Sequence, residues 1–355
     1  MNLLITLLEV ANGRAVLAQT DANFRKVIVT IVPDIAQCRE STLYTMLSRC
    51  SREESSGMRE PDFCGIFPAM ITPFTESEEE LDETALKKII DYLMESGVHG
   101  IQCCGSTGEA GSLTRTERKR IIELTVKQVN KRLPVIAGTG TSSTNMTIEL
   151  TKDAAEAGAD AALIITPFYV IPTEEGIYEH YKTIATHVNI PILAYNVPQA
   201  TMVNLTPSLL TRLVEKIDRI VGVKESSGKT WQIAEMVRLV GDKISILTGD
   251  DAGLYSDFLL GCQGAIVAIG NIAPRMTVEI FDSLKRGDVQ RAKEIYYRLL
   301  PIATALGGEA NWASRVKEMV SLQHLPGGCV RKPFLKSLPE EVEQMRSALT
   351  GAGLV

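Results

Sequence analysis

The sequence predicts a (β/α)8 barrel, an α/β fold, with a C-terminal helical extension. Short apolar runs recur eight times between Gly65 and Val267, and segments with the apolar spacing of helices lie between them. Eight strand–helix units in succession favour a closed barrel over an open doubly wound sheet. The strand end Gly138-Thr139-Gly140 lacks the third glycine of a dinucleotide-binding loop, which argues against a Rossmann fold.

The predicted strands are the short apolar runs. They are Gly65–Met70, Gly100–Cys103, Val135–Ala137, Ala161–Ile165, Ile192–Tyr195, Ile220–Val223, Ile244–Leu247 and Ala265–Val267. Cap signals mark several helices between them: Thr114 and Glu117 have the spacing of a capping box, and Gly97 follows the end of Leu81–Ser96. The other predicted helices are Leu113–Asn130, Met146–Ala157, Thr206–Lys216 and Trp231–Val240, and then Asp288–Leu306, Trp312–Leu322 and Pro339–Leu349 in the extension.

We expect the chain to have three parts. Residues 58–290 form the barrel and residues 291–355 form the C-terminal helical region. Residues 1–57 differ from both, and a polar stretch from Arg49 to Gly57 separates them from the barrel. They are either a small appendage or the product of a start codon upstream of the true one at Met58.

Composition limits the possible partners. The net charge is −6, and no basic stripe interleaved with aromatic residues is present, so nucleic acid is not expected as a partner. The apolar start of the chain is too short to span a membrane. Seven cysteines without a paired pattern indicate a reducing compartment, the cytoplasm, and four scattered histidines predict no metal site.

Lys224 is the first candidate for chemistry. It directly follows the apolar run Ile220–Val223, and the carboxyl ends of barrel strands are where ligands bind. A lysine amine that is withdrawn from water is more readily neutral and can then form an imine with a carbonyl compound. Taken alone, however, such a lysine more often only turns towards solvent.

The ends of other strands supply matching groups. A turn, Gly105-Ser106-Thr107-Gly108-Glu109, follows the second strand, and its hydroxyl and amide groups can hold a carboxylate. Tyr195 ends the fifth strand, where a phenol can move protons beside an amine. Asp250-Asp251 follow the seventh strand, and we interpret them as a helix N-cap because no third metal ligand stands nearby. Each group has an ordinary structural explanation, and only their joint position at strand ends indicates a site.

At these residues the chain resembles the dihydrodipicolinate synthase/N-acetylneuraminate lyase family. The resemblance rests on four motifs in order: Gly105–Glu109, Tyr195–Pro198, Val223–Ser226 and Gly249–Asp251. It implies a pyruvate-dependent class I aldolase on a (β/α)8 barrel, with no cofactor besides the imine on the enzyme. It also implies a homo-oligomer, commonly a tetramer arranged as a dimer of dimers.

The resemblance assigns roles to individual residues. Lys224 corresponds to the imine-forming lysine, and Tyr195 to the tyrosine that exchanges protons during imine formation. Ser106 and Tyr169 correspond to the proton relay, in which the synthases' tyrosine comes from a neighbouring subunit. Three residues correspond to the substrate-binding positions: Thr107, Ile266 and Gly249.

One position departs from the synthases of lysine biosynthesis. Ala200 stands where their arginine binds the carboxylate of aspartate semialdehyde, and alanine cannot replace a bidentate guanidinium. We therefore expect a Schiff-base aldolase that makes or cleaves a C–C bond next to pyruvate, with a sugar-acid-derived or other aldehyde as the second substrate. The alternatives are a 4-hydroxy-tetrahydrodipicolinate synthase with another basic residue at this task, a sugar-acid dehydratase, and a non-catalytic barrel used for binding.

Overall fold

A computed structural model describes residues 63–76, 80–307 and 310–355. The expectations for residues 1–57 lie outside the described residues. Eight parallel strands alternate with helices in the order that the sequence predicts. The strands are β1 (Gly65–Pro68), β2 (Ile101–Cys103), β3 (Val135–Gly138), β4 (Ala161–Ile165), β5 (Ile192–Asn196), β6 (Ile220–Glu225), β7 (Ser245–Thr248) and β8 (Gly264–Val267).

The helices surround the strands and continue beyond them. Those of the barrel are α1 (Glu83–Glu95), α2 (Arg115–Val129), α3 (Thr144–Glu156), α4 (Glu174–His187), α5 (Pro198–Thr201), α6 (Pro207–Lys216), α7 (Thr230–Val240), α8 (Leu254–Leu259) and α9 (Pro274–Lys285). The C-terminal helices are α10 (Val289–Leu306), α11 (Trp312–Leu322) and α12 (Pro339–Ala352). The predicted (β/α)8 barrel with a helical extension is therefore confirmed, whereas the division at residue 290 stays a prediction.

The sheet closes on itself. Its strand order is β1-β8-β7-β6-β5-β4-β3-β2. A parallel bridge between Ala69 and Gln102 then joins the two end strands just beyond β1. Because side chains alternate across each strand, Phe67, Leu163 and Leu193 pack in one cluster inside the barrel.

The outer faces of the strands pack against the helices. The buried residues of α1 recur at helical spacing and belong to the core that packs against the outer faces of the strands. They are Leu86, Ile89, Ile90 and Leu93. The capping box predicted at Thr114 is present at the start of α2. No helix within the described residues is both long and apolar enough to cross a membrane.

Apolar spacing did not identify α4, α5, α8 or α9. The eight-stranded order is unaffected, and each helix has a physical reason for a weak signal. The buried face of α4 includes His180, and that of α9 includes Thr277 and Ser283, so polar residues interrupt the apolar period. The remaining two helices are short, since α5 has four residues and α8 has six.

Candidate active site

Lys224 and Tyr195 face each other inside the barrel. Strand β6 continues through Glu225, so Lys224 lies within the strand and not just after it, a correction to the boundary expected from sequence. Its Cα is paired in register with that of Tyr195 on β5. The Lys224 amine lies 4.3 Å from the centroid of the Tyr195 ring, and both side chains are buried. The structure thus brings the predicted nucleophile and the predicted proton carrier together.

The register of these two strands is fixed from the outer side. Asn196 and Glu225 are also register partners, one position beyond Tyr195 and Lys224. The Asn196 amide donates a hydrogen bond of 2.8 Å to the buried Glu225 carboxylate, and Gln232 of α7 donates another of 3.0 Å. Because a slip by one residue would reverse the direction of every side chain, this bond helps to keep Lys224 and Tyr195 inside.

Gly249 lets the chain approach Lys224 closely. It follows β7, and a Cβ atom placed there would lie 2.7 Å from Cε of Lys224 and would collide with the Ser226 hydroxyl. Ser226 is buried, and its hydroxyl has no hydrogen-bond partner among the described residues. The predicted site residue Gly249 therefore leaves room for Lys224 by having no side chain, and Ser226 is a candidate site residue that the sequence reasoning missed.

The turn after β2 is held in place by hydrogen bonds. The amides of Gly108 and Glu109 donate to the carbonyls of Gly105 and Ser106. Thr72, which follows β1 and was not predicted, donates a hydrogen bond of 2.9 Å to the Gly108 carbonyl.

The two predicted hydroxyl residues of this turn differ in exposure. Thr107 is buried, whereas Ser106 is exposed. No described residue accepts a hydrogen bond from the backbone amides of these two residues. Free amides beside a hydroxyl can bind a carboxylate, as the sequence predicts.

The remaining predicted residues lie in contrasting places. Ile266 of β8 is fully buried in the same internal cluster as Tyr195. Tyr169, which follows β4, is 96% exposed and has a left-handed backbone with φ of 71°. Within one chain, then, Tyr169 does not pack against the other site residues.

Asp250 and Asp251 do not cap a helix as expected. The N-cap of α8 is Gly253. Asp250 accepts a hydrogen bond from the amide of Ala252, and Asp251 accepts one of 2.8 Å from the amide of Ile269 after β8. The aspartates instead brace the loops beside the site.

Two buried acids lie in or just after the loop that follows β7. Burial raises the pKa of Asp251 to about 6, against the opposing effects of the Ile269 amide and the charge of Lys224. Burial likewise raises the pKa of Asp257 to about 6, although Thr248 donates a hydrogen bond to it. Within the described residues, no cluster of three or more His, Cys, Asp or Glu side chains could hold a metal ion.

Comparison with known proteins places this geometry in a family. The model of the dihydrodipicolinate synthetase family matches residues 62–352. The chain belongs to this family. It is accordingly an enzyme, a lyase of the pyruvate-dependent aldolase type.

Individual members of the family match over the whole barrel. The 4-hydroxy-tetrahydrodipicolinate synthase of Thermodesulfovibrio yellowstonii is 42% identical over 293 residues, which are 82% of this chain and 99% of the relative. The crystal structure of dihydrodipicolinate synthase from Aquifex aeolicus is 36% identical, with a TM-score of 0.78 over 82% of this chain and 99% of that one. A prophage protein of E. coli K12 from the same family, solved in complex with pyruvate, is 31% identical, with a TM-score of 0.80 and coverage of 82% and 99%.

Replacing Gly249 by alanine tests how tightly the site is packed around Lys224. We expect Gly249→Ala to slow imine formation with pyruvate by about 10- to 100-fold, since overpacking costs roughly 1–3 kcal/mol and here displaces the amine itself. The measurement is the rate at which borohydride traps pyruvate on the protein. Gly111→Ala is the control, because a Cβ at Gly111 meets nothing within 4 Å. An unchanged rate in Gly249→Ala would contradict this account of the site.

Proposed function

We propose that this enzyme is a 4-hydroxy-tetrahydrodipicolinate synthase that condenses pyruvate with aspartate semialdehyde through an imine on Lys224. One observation carries the reaction class: the amine of Lys224 faces the ring of Tyr195 from the paired position on the next strand. The second substrate is inferred from relatives about 40% identical over nearly their whole length that carry this name. These relatives favour the synthase over the first interpretation, an aldolase whose second substrate is a sugar-acid-derived aldehyde. Both functions use the same Schiff-base chemistry.

The reaction starts with nucleophilic attack. The neutral amine of Lys224 attacks the keto carbon of pyruvate, and the resulting carbinolamine loses water to give the imine. Tyr195 supplies and removes the protons that these steps require. Loss of a proton from the methyl carbon gives an enamine, whose carbon attacks the aldehyde and forms the C–C bond. The amine of the condensed aspartate semialdehyde then attacks the imine carbon and closes the ring, and Nζ of Lys224 leaves as the product is released.

The turn after β2 binds the carboxylate of pyruvate in this proposal. Its free amides at Ser106 and Thr107, with the Thr107 hydroxyl, supply neutral hydrogen-bond donors. Ile266 and Gly249 bound the space in which the keto acid lies. Neutral donors are suited to this position, because a further cation beside Lys224 is not needed to hold a single carboxylate.

Trapping and turnover assays separate the candidate functions. Borohydride with pyruvate should label Lys224 irreversibly, and condensation with aspartate semialdehyde should then exceed pyruvate release from keto-deoxy sugar acids. Lys224→Arg, which keeps the charge but cannot form the imine, is the control and should show neither label nor turnover. Absence of label on the wild type would exclude the whole class and favour a binding barrel. Labelling with turnover only on sugar acids would instead support the aldolase or the dehydratase.

Tyr169 completes the proton relay of another copy of the chain in this proposal. Its ring is almost fully exposed, and the neighbouring Val170 and Ile171 are exposed apolar residues. Exposed apolar residues in a row mark an interaction surface. A homo-oligomer in which Tyr169 enters the partner's site accounts for the exposure of Tyr169 in one chain and for the proton-relay role that the family resemblance implies.

Mixed oligomers test whether Tyr169 acts between subunits. Lys224→Ala and Tyr169→Phe should each be nearly inactive alone, because general acid–base groups contribute about 10²–10⁴-fold to rate. Co-expressed, they should regain about a quarter of wild-type activity, since half of random dimers are mixed and one of their two sites is complete. Activity that stays at the level of the single variants would show that Tyr169 serves only its own chain.

The loops that follow the strands contain a single basic side chain that could bind the carboxylate of aspartate semialdehyde. Between each strand and the helix that follows it in residues 63–355, the sequence holds only one Lys, Arg or His, which is Lys229 after β6. Its side chain is exposed, makes no cap hydrogen bond and forms no ion pair with the described residues. We assign to Lys229 the binding of this carboxylate, which in the synthases of lysine biosynthesis is the role of the arginine that corresponds to Ala200.

Replacing Lys229 by alanine should raise the KM for aspartate semialdehyde at least about tenfold, because a hydrogen bond to a charged group contributes about 1.5–3 kcal/mol. Trapping of pyruvate should be unchanged, since the first substrate does not use this lysine. Lys216→Ala is the control, as Lys216 ends α6 near the opposite face of the barrel. An unchanged KM would remove Lys229 from the site.

A second candidate function follows from Ala200 itself. An aldehyde that carries hydroxyl groups and no carboxylate needs no cation for binding. An aldehyde derived from a sugar acid is of this kind. The buried hydroxyl of Ser226 is then a neutral partner beside Lys224. The substrate comparison above decides between the two candidates.

A further inference from the structure

A buried ion pair joins the C-terminal helical region to the turn after β2. The amine of Lys317, on α11, lies 2.5 Å from a carboxylate oxygen of Glu109, and both side chains are almost completely buried. The two residues are 208 positions apart in the chain. The Glu109 backbone has a left-handed conformation, with φ of 55°, that non-glycine residues seldom adopt. Other contacts must therefore hold Glu109 in this conformation.

The contacts of Glu109 explain how it is held. Its second carboxylate oxygen accepts a hydrogen bond of 2.9 Å from the backbone amide of Arg331. Lys317 also donates to the carbonyl of Cys329, so one amine ties the turn to the segment after α11. The carboxylate is therefore fixed at both oxygens, and the residue that closes the turn cannot rotate freely.

The same region is linked to the segment after β1. The Phe74 ring lies between two cations, with the Lys317 amine 4.4 Å and the Arg331 guanidinium 4.1 Å from its centroid. The Phe74 carbonyl accepts a hydrogen bond from the amide of Cys329. Arg331 also pairs with Glu117 at the start of α2. The turn is thus enclosed by the C-terminal region on one side and by the chain after β1 on the other.

Burial of Lys317 has an electrostatic consequence. Burial lowers its pKa, and the adjacent Glu109 carboxylate opposes that shift. A buried charge without its partner is strongly destabilising, so removal of Lys317 alone would disturb the position of the Glu109 carboxylate. Elsewhere in the C-terminal region the ion pair of Arg315 with Glu341 is partly exposed and makes no contact with the turn.

We propose that Lys317 is a positioning residue for the active site: through Glu109 it sets the orientation of the Ser106–Thr107 amides that receive the carboxylate of the keto acid. The C-terminal helical region is then part of the catalytic apparatus as well as a cover on the barrel. This rests on the proposed function, because the turn matters to activity only if it binds a keto acid.

The test compares two ion pairs on the same helix. Lys317→Met should increase hydrogen exchange of the amides of Gly108, Glu109 and Ala110, which close the turn. It should also raise the half-saturating pyruvate concentration for borohydride trapping by about tenfold or more, since loss of a hydrogen bond to a charged carboxylate weakens binding by about that factor. Arg315→Met, also on α11, should lower thermal stability but leave both readouts as in the wild type.

The outcomes are distinct. Equal exchange and equal half-saturation in the Lys317 and Arg315 variants would overturn the proposal, because the pair would then serve stability alone. If Lys317→Met does not fold, Glu109→Gln, which keeps an acceptor for the Arg331 amide, should show the same two changes. A wild type that pyruvate does not label would refute the proposed function, while the exchange data would still decide whether Lys317 orders the turn.

Discussion

The pairing of β5 with β6 is the constraint on which the active site depends. Their register places Tyr195 opposite Lys224 inside the barrel and Asn196 opposite Glu225 outside it. Parallel backbone pairing alone leaves a choice of register, and the hydrogen bond from Asn196 to the buried Glu225 favours one. The polar pair on the outer face therefore helps to keep Tyr195 and Lys224 opposite each other on the inner one.

The other parts of the site are fixed from different directions. The loop after β7 can come close to Lys224 because Gly249 has no side chain, and Asp251 holds that loop to the chain after β8. The turn after β2 is held from outside the barrel by Lys317. An active site built from several strand ends needs such supports, since each loop would otherwise move independently.

The local pattern of apolar residues was enough to predict the barrel and the pairing of Lys224 with Tyr195. Apolar runs of strand length reveal the strands, and the rule that ligands bind at their carboxyl ends selects Lys224 and Tyr195. The Lys317–Glu109 pair could not be predicted in this way, because no periodicity relates residues 208 positions apart. The sequence favours a helix cap at Asp251 because its actual partner, the Ile269 amide, belongs to another loop and gives no signal near Asp251. The role of Tyr169 cannot be seen within one chain, because its side chain is almost fully exposed there.

The charge around the opening bears on the choice of substrate. Asp251 and Asp257 are buried beside β7, and burial raises the pKa of each to about 6, so both are largely ionised at neutral pH. The carboxylate of aspartate semialdehyde would meet these charges, and Lys229 is the one basic residue in the strand-end loops that could offset them. Like charges in a poorly solvated site repel strongly. Under the proposed function we therefore expect the carboxylate of aspartate semialdehyde to pair with Lys229 or with a cation from a second copy, whereas an aldehyde without a carboxylate needs neither.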